Sequence, residues 1–338
     1  DELIASWAPA SSLSLDAGKM VLRWGRGHIW NPAAFVERPR DPTDPRLPRE
    51  GYTMLTGRYT RELVPSTTLT LAPVLLPVTG QINEGFGTAE RVNVAARLLL
   101  EHDATDVSFP FLSGGSRSSR YGFTVAYDFS AEFEVYGEWA RISAQSFRSA
   151  TPTGIAHERR ETATSYLAGI LYRAGHGMNY LVELYHNGTG FSPAEFRDYA
   201  ALAANAALAG PDSPLMARAK SLAQGGFDRA QPMRNYVFVR AAKTTSIAGA
   251  PLVPSVSATV NIEDHSYSIT PELFYNPRRA WGWRISMNLL AGRPGTEYGE
   301  KRYSRRAEVM VHHHFGAGRA LRGEMAHLEH AGPRRCAL

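Results

Sequence analysis

A two-residue alternation of apolar and polar side chains, renewed segment after segment, constrains this chain more than any other feature. In the stretch 121–129 one set reads Tyr121, Phe123, Val125, Tyr127 and Phe129, and the set between reads Gly122, Thr124, Ala126 and Asp128. Successive side chains of a strand point to opposite faces, so this segment has one apolar face and one face of small and polar residues. A sheet of many such strands needs an apolar medium on one side and water on the other. A transmembrane β-barrel meets that requirement, with lipid outside and a wet interior. A soluble all-β protein with one exposed face per sheet is the competing reading.

The bulk numbers agree with a barrel. At 338 residues a single closed unit is an ordinary size. Hydrophobic residues make up 43% and mean hydropathy is −0.28, as expected when every second strand residue faces water. No run approaches 18 apolar residues, which excludes a transmembrane helix and leaves barrel strands untouched. The chain starts at Asp1 without a basic and apolar leader, so a signal peptide is expected to have been removed or to lie outside this sequence. The single cysteine, Cys336, cannot form an internal disulfide. The net charge of +5 is spread along the chain without a Lys or Arg block, which argues against nucleic acid as a partner.

The alternation predicts about fourteen strands, near 12–24, 52–62, 66–77, 91–103, 106–112, 121–129, 132–142, 161–173, 178–187, 234–244, 252–263, 266–276, 280–291 and 304–315. Leu3–Trp7 reads as the end of an earlier strand, which would raise the number. Connections after even-numbered strands are brief, as at Val64-Pro65, Ser130-Ala131 and 245–251. Those after odd-numbered strands are mostly longer: 25–51, 78–90, 113–120, 143–160, 188–233 and 292–303, the turn at Asp264-His265 being the exception. Short periplasmic turns and long external loops belong to outer-membrane barrels, and an even count puts both ends on one side. The expected organisation is a barrel over 1–315, a helical loop over 188–233 and a C-terminal extension over 316–338. In the loop, Ser192-Pro193-Ala194-Glu195 is a capping box leading into an Ala-rich run to Leu208. Ser213-Pro214 opens a second helix that stops at Gly225-Gly226.

With these segments placed, the chain resembles bacterial outer-membrane porins and barrel transporters over nearly its whole length. Leu22-Arg23-Trp24-Gly25-Arg26-Gly27-His28-Ile29-Trp30-Asn31-Pro32, followed by Asp41-Pro42-Thr43-Asp44-Pro45, is similar to the strand-end and loop signature of porin-like families. Phe315, closing 305–315, is similar to the final aromatic residue that barrel-assembly machinery reads. Asn31-Pro32-Ala33 is similar to a tripeptide in the hatch of fatty-acid channels. The resemblance implies the bacterial outer membrane, with its lipid and lipopolysaccharide, the assembly machinery and small polar solutes as partners. It leaves the oligomeric state open.

No constellation points to catalysis, a cofactor or a metal. His312 and His314 share a face without a third ligand, and His327 and His330 lie in the tail. No Gly-x-Ser-x-Gly elbow or Cys-His pattern occurs, and Gly25-Arg26-Gly27 reads as a tight turn. A barrel hydrolase would need a nucleophile or acid beside an external histidine, with His157 and His265 the candidates. The inward faces offer charge instead. The expected pore lining is Arg23, Arg97, Glu101, Glu134, Glu138, Arg173, Glu183, Arg240, Glu272, Arg284, Arg306 and Glu308, with Lys19 and Arg91 also inward. Such charges are costly in lipid and tolerable in a wet lumen. The expected function is passive diffusion of small polar or anionic solutes. A channel for hydrophobic compounds, of the fatty-acid transporter type, and the hydrolase are the alternatives.

Overall fold

The computed structural model describes residues 2–38, 50–278 and 281–313. The segment 41–45, His314, Phe315 and the extension 316–338 with Cys336, His327 and His330 lie outside them. The fold is all-β and up-and-down: sixteen strands in one antiparallel sheet. They are β1 (Leu3–Ala10), β2 (Leu13–Met20), β3 (Tyr52–Val64), β4 (Thr67–Val78), β5 (Arg91–His102), β6 (Thr105–Leu112), β7 (Arg120–Asp128) and β8 (Phe133–Ala150). Then come β9 (Ala156–Ala174), β10 (Met178–His186), β11 (Asn235–Lys243), β12 (Thr245–Ile247), β13 (Ala250–Asn261), β14 (Tyr267–Arg278), β15 (Trp281–Ala291) and β16 (Arg305–His313). Two helices, α1 (Pro193–Ala209) and α2 (Pro214–Leu222), fall between β10 and β11.

Each of the fourteen expected strands is present, and two more join them. β1 pairs with β2 from Leu3 opposite Lys19 to Ala10 opposite Leu13. β12 pairs with β13 off the main order, so the expected brief turn at 245–251 is itself mostly strand. Among the described residues the main order runs through fifteen strands, with β12 off it as the sixteenth. A second correction concerns 143–160. Instead of a long loop, β8 and β9 extend as a hairpin closed by residues 151–155. Polar pairs hold it, Ser146 Oγ to Glu158 Oε1 at 3.0 Å and Arg148 to Glu158 at 3.7 Å, over a small cluster of Ile142, Phe147 and Ala163. At 18 and 19 residues these strands exceed the roughly 9–11 needed to cross a bilayer.

The period-two pattern becomes a burial pattern of unusual sign. Large apolar side chains are exposed: Val92, Val94 and Leu98 on β5, Phe109 and Phe111 on β6, Tyr166, Ile170 and Tyr172 on β9, Trp281, Trp283 and Ile285 on β15. The opposite faces, which carry Asn93, Ser108, Thr124, Glu134, Glu138, Thr259, Asn261 and Arg284, are buried. Cross-strand pairs such as Ser108 Oγ with Thr124 Oγ1 at 2.7 Å satisfy part of that polarity.

By contacts the chain divides into two compact units. The first comprises Asp1–Tyr127, Tyr136–Gly169 and Leu184–Asn235; the second comprises Asp128–Val135, Ile170–Glu183 and the chain from Tyr236 on. Within the first unit the segment 21–38 leaves the sheet after β2 and packs on the buried face. Trp24, Phe35 and Val36 join Tyr52, Met54, Val74, Leu76, Phe86, Ala95 and Leu112 in one apolar cluster. The first expected strand therefore ends four residues early. In the second unit, β13 to β16 pair in unbroken sequence order.

Candidate functional site

Two carboxylates fix the inner segment of the first unit, Glu138 from the sheet and Glu37 from within the segment. Glu138 points from β8 into the buried face and is 3% exposed. Its Oε1 accepts from the Arg26 and Gly27 amides at 2.5 and 2.8 Å, and Oε2 accepts from the Ala33 amide at 3.0 Å. Glu37 Oε1 accepts from the Trp24 amide at 2.6 Å and the Gly25 amide at 3.4 Å. Ionised acceptors make stronger bonds than neutral ones, and removing them would leave buried amides unsatisfied. Arg26 adds an ion pair with Asp106 of β6. The expected tight turn at Gly25-Arg26-Gly27 is thus an irregular strap with its amides turned to carboxylates. A Cβ on Gly27 would sit 1.8 Å from the Trp30 carbonyl oxygen, so glycine is required by close approach. Asn31-Pro32-Ala33 belongs to the same strap, Ala33 being fully buried.

The strap continues into the helical loop. Trp30 Nε1 donates to Gln231 Oε1 at 2.5 Å, and its ring stacks on Tyr185 with centroids 5.1 Å apart. The expected helical hairpin is present, with Ser192 and Glu195 making the complete capping box of α1. Arg159 Nη1 donates to Glu195 Oε1 at 2.6 Å, and Asn205 Nδ2 to the Pro152 carbonyl at 3.0 Å. Both bonds fasten α1 to the β8–β9 hairpin. Burial works to raise the Glu195 carboxyl, but the Ser192 amide and hydroxyl and the Arg159 guanidinium outweigh it and hold the group below its ordinary value.

Three arginines that the alternation did not single out lie in this unit beside the strap and loop. Arg117 donates to the carbonyls of Phe86 and Gly85, and its guanidinium lies 4.0 Å from the Phe86 ring centroid. Arg120 begins β7, and its Nε is buried without a hydrogen bond. Among the described residues, Arg117 and Arg229 act on it, both positive. Burial lowers the proton affinity of the half-buried Arg117, whereas Arg229 is exposed. Arg117, Arg120 and Arg160 also line a cleft of about 400 Å³ with Ser116, Ser118, Gln145, Ser146 and Glu158. Glu158 is already engaged by Ser146 and Arg148, so the cleft has an excess of positive charge.

The twelve expected lining residues divide by unit. In the first unit Arg97 lies on the buried face with Nη1 donating to the Arg23 carbonyl at 3.2 Å. Glu101 is exposed near the end of β5. Arg23 lies beyond the end of β2, exposed and off the sheet, because the chain turns inward after Met20. Lys19 faces away from the core. It stands opposite Thr53 on the face opposite to that of Met20 and Tyr52, bonded to Glu50 at 2.6 Å. Its expected inward position is corrected by this register. Arg91 is exposed at the start of β5. Glu138 is the strap anchor, in contact with backbone instead of solvent.

In the second unit Arg284, 4% exposed, sits between Glu272 at 3.9 Å and Glu308 at 3.8 Å, with Arg306 3.4 Å from Glu308. This acid–base ladder crosses β14, β15 and β16. Arg173 pairs with the buried Glu134 at 3.8 Å and donates to the Ala131 carbonyl. Glu183 is fully buried and Arg240 half-buried. His312 and His313 fall on opposite faces, His313 packing edge-on against Trp281. His157 and His265, the hydrolase candidates, are exposed. Among the described residues no group of three His, Cys, Asp or Glu side chains is placed to hold a metal.

No protein-family model matches the chain, and no curated protein matches it. Among solved structures it is similar to Pseudomonas aeruginosa OccK11 (OpdR), at 10% identity and TM-score 0.48 over 89% of this chain and 75% of that one. It is likewise similar to Acinetobacter baumannii OccAB1, at 10% identity and TM-score 0.48 over 89% of this chain and 73% of that one.

Proposed function

We propose that this chain closes into a barrel in the bacterial outer membrane and acts as a passive, non-enzymatic channel for small polar and anionic solutes. The observation that carries the reading is the sign of the burial pattern. Row after row of large apolar side chains is exposed while glutamate, arginine, asparagine and serine are buried on the other face. In water such a surface is far beyond the apolar patch of a soluble monomer, whereas lipid solvates it directly. The polar face then borders the path of the solute. The strap 21–38 and the loop 188–233 narrow that path, and Glu138 holds the strap in place. Arg117, Arg120 and Arg229 raise the local concentration of anions. The ladder of Arg284 with Glu272 and Glu308 supplies a transverse field across the wall. A charged inner face disfavours the hydrophobic-compound alternative.

Single-channel recording in a planar bilayer under a salt gradient tests this. Stable conductance steps with a reversal potential favouring anions are expected. Absence of steps from protein that retains heat-modifiable β structure would overturn the channel reading. Steps favouring cations would overturn the role given to the arginines.

A further inference from the structure

The loop 292–304, between β15 and β16, is folded around a carboxyl group shut off from solvent. Glu297 is 0% exposed. Its Oε2 accepts from the Tyr236 hydroxyl at 2.7 Å and from Asn261 Nδ2 at 2.9 Å. Those two residues stand directly opposite each other in the β11–β13 register, so one carboxyl oxygen bridges a cross-strand pair. The other oxygen, Oε1, is buried and meets no partner among the described residues.

The backbone around this group is pinned to the β13–β14 turn. The Glu297 amide donates to Asp264 Oδ2 at 2.7 Å and the Tyr298 amide to Ser266 Oγ at 3.2 Å, while Ser266 Oγ donates to Asp264 Oδ1 at 2.7 Å. The loop also closes on itself. A Cβ on Gly299 would lie 2.0 Å from the Arg293 carbonyl oxygen, and the Gly295 amide donates to Glu300 Oε1 at 2.6 Å.

Neutral donors hold the carboxyl, and among the described residues no ion pair neutralises it. An ionised carboxylate with a bare buried oxygen is far costlier than a neutral one. Burial pushes Glu297 up to about 7, Tyr236 and Asn261 pull it down through their hydrogen bonds, Lys301 draws it down, and Asp264 pushes it up. Glu263 and His265 occupy the same turn as Asp264, and Arg293 and Glu300 belong to the loop itself.

We infer that Glu297 is a proton-operated latch: protonated, it seats the loop 292–304 against β11, β13 and the β13–β14 turn, and ionised, it releases the loop. The sign follows from linkage. The folded value lies above the ordinary carboxylate value of about 4.3, so the latch's contribution is fully present below that value and is lost as pH rises through about 7. On the channel reading, release alters the conducting path. The latch itself rests on the loop geometry alone.

The test is hydrogen exchange on the full chain in detergent micelles at about pH 5.5 and about pH 8.5, corrected for the intrinsic pH dependence of exchange. Protection of amides 293–300 is expected to fall with rising pH, roughly tenfold per pH unit between the ordinary carboxylate value and a midpoint near 7, and to level off above it. E297Q removes the charge and is expected to stay protected at both pH values. Tyr236→Phe removes a donor to the ionised form and is expected to move the midpoint to higher pH. Protection that ignores pH in the native chain, or the same loss in E297Q, overturns the latch. If E297Q does not fold, an unmoved midpoint in Tyr236→Phe overturns it alone. None of these readouts needs conductance, so the latch and the channel reading fail separately.

Discussion

Glu138 spends both carboxylate oxygens on backbone amides of the strap, 105 to 112 residues earlier in the chain. Hydrogen bonds to a charged group contribute about 1.5–3 kcal/mol each, and sharing one acceptor makes them less than additive. Glu138→Ala is therefore expected to cost on the order of 3 kcal/mol and to free the strap. The midpoint of heat modification should fall and, on the channel reading, single-channel conductance should rise. Glu138→Gln keeps one acceptor oxygen but turns donors toward amides, and should lie between the two. Unchanged melting in Glu138→Ala would remove the anchoring role. Alternation puts Glu138 on the face that the structure buries. It could not reveal that the partner would be backbone, because an amide has no residue identity to read. Arg117 and Arg229 escaped because irregular segments have no period. Arg120 was within reach: carrying the alternation one residue back from Tyr121 puts it on the face of Gly122.

Among the elements, the helical hairpin depends on a local device. Ser192 accepts from the Glu195 amide and donates to its carboxylate, and Glu195 in turn holds Arg159. Ser192→Ala removes the cap, worth about 1 kcal/mol, and loosens the Arg159 pair. Proteolysis within 200–209 should become faster, and an unchanged rate would show the hairpin to be held by packing alone. Acid acts on the same link. The Glu195 carboxyl is held below its ordinary value, so its contribution is present above about pH 4.3 and is lost as pH falls through the folded value. Hairpin protection should drop there and persist in Glu195→Gln, which has no proton to gain. Caps of this kind, and strands with one apolar face, are legible because their signals are local. The β8–β9 extension was not, since 143–146 and 156–162 are polar on both faces and owe their pairing to Ser146, Glu158 and Arg148. Lys19 was misplaced because β2 alternates weakly, and only its pairing with β3 fixes which face each residue takes.

At the scale of the whole molecule the decisive quantity is how charge is distributed between screened and unscreened places. The formal charge of +5 says little, because exposed charges more than about 8–10 Å away are damped by salt at physiological strength. Arg306, with a side chain 74% exposed and 3.4 Å from Glu308, belongs to that damped class. Arg120 does not: its Nε is buried, and among the described residues Arg117 and Arg229 act on it. Selectivity should therefore follow Arg120 instead of the net charge. Arg120→Gln and Arg306→Gln remove the same formal charge, yet only the first is expected to move the reversal potential toward cations. The shift should persist at raised salt, where surface terms have faded. Equal shifts from Arg120→Gln and Arg306→Gln would mean that net charge governs passage, and Arg120 would then be structural.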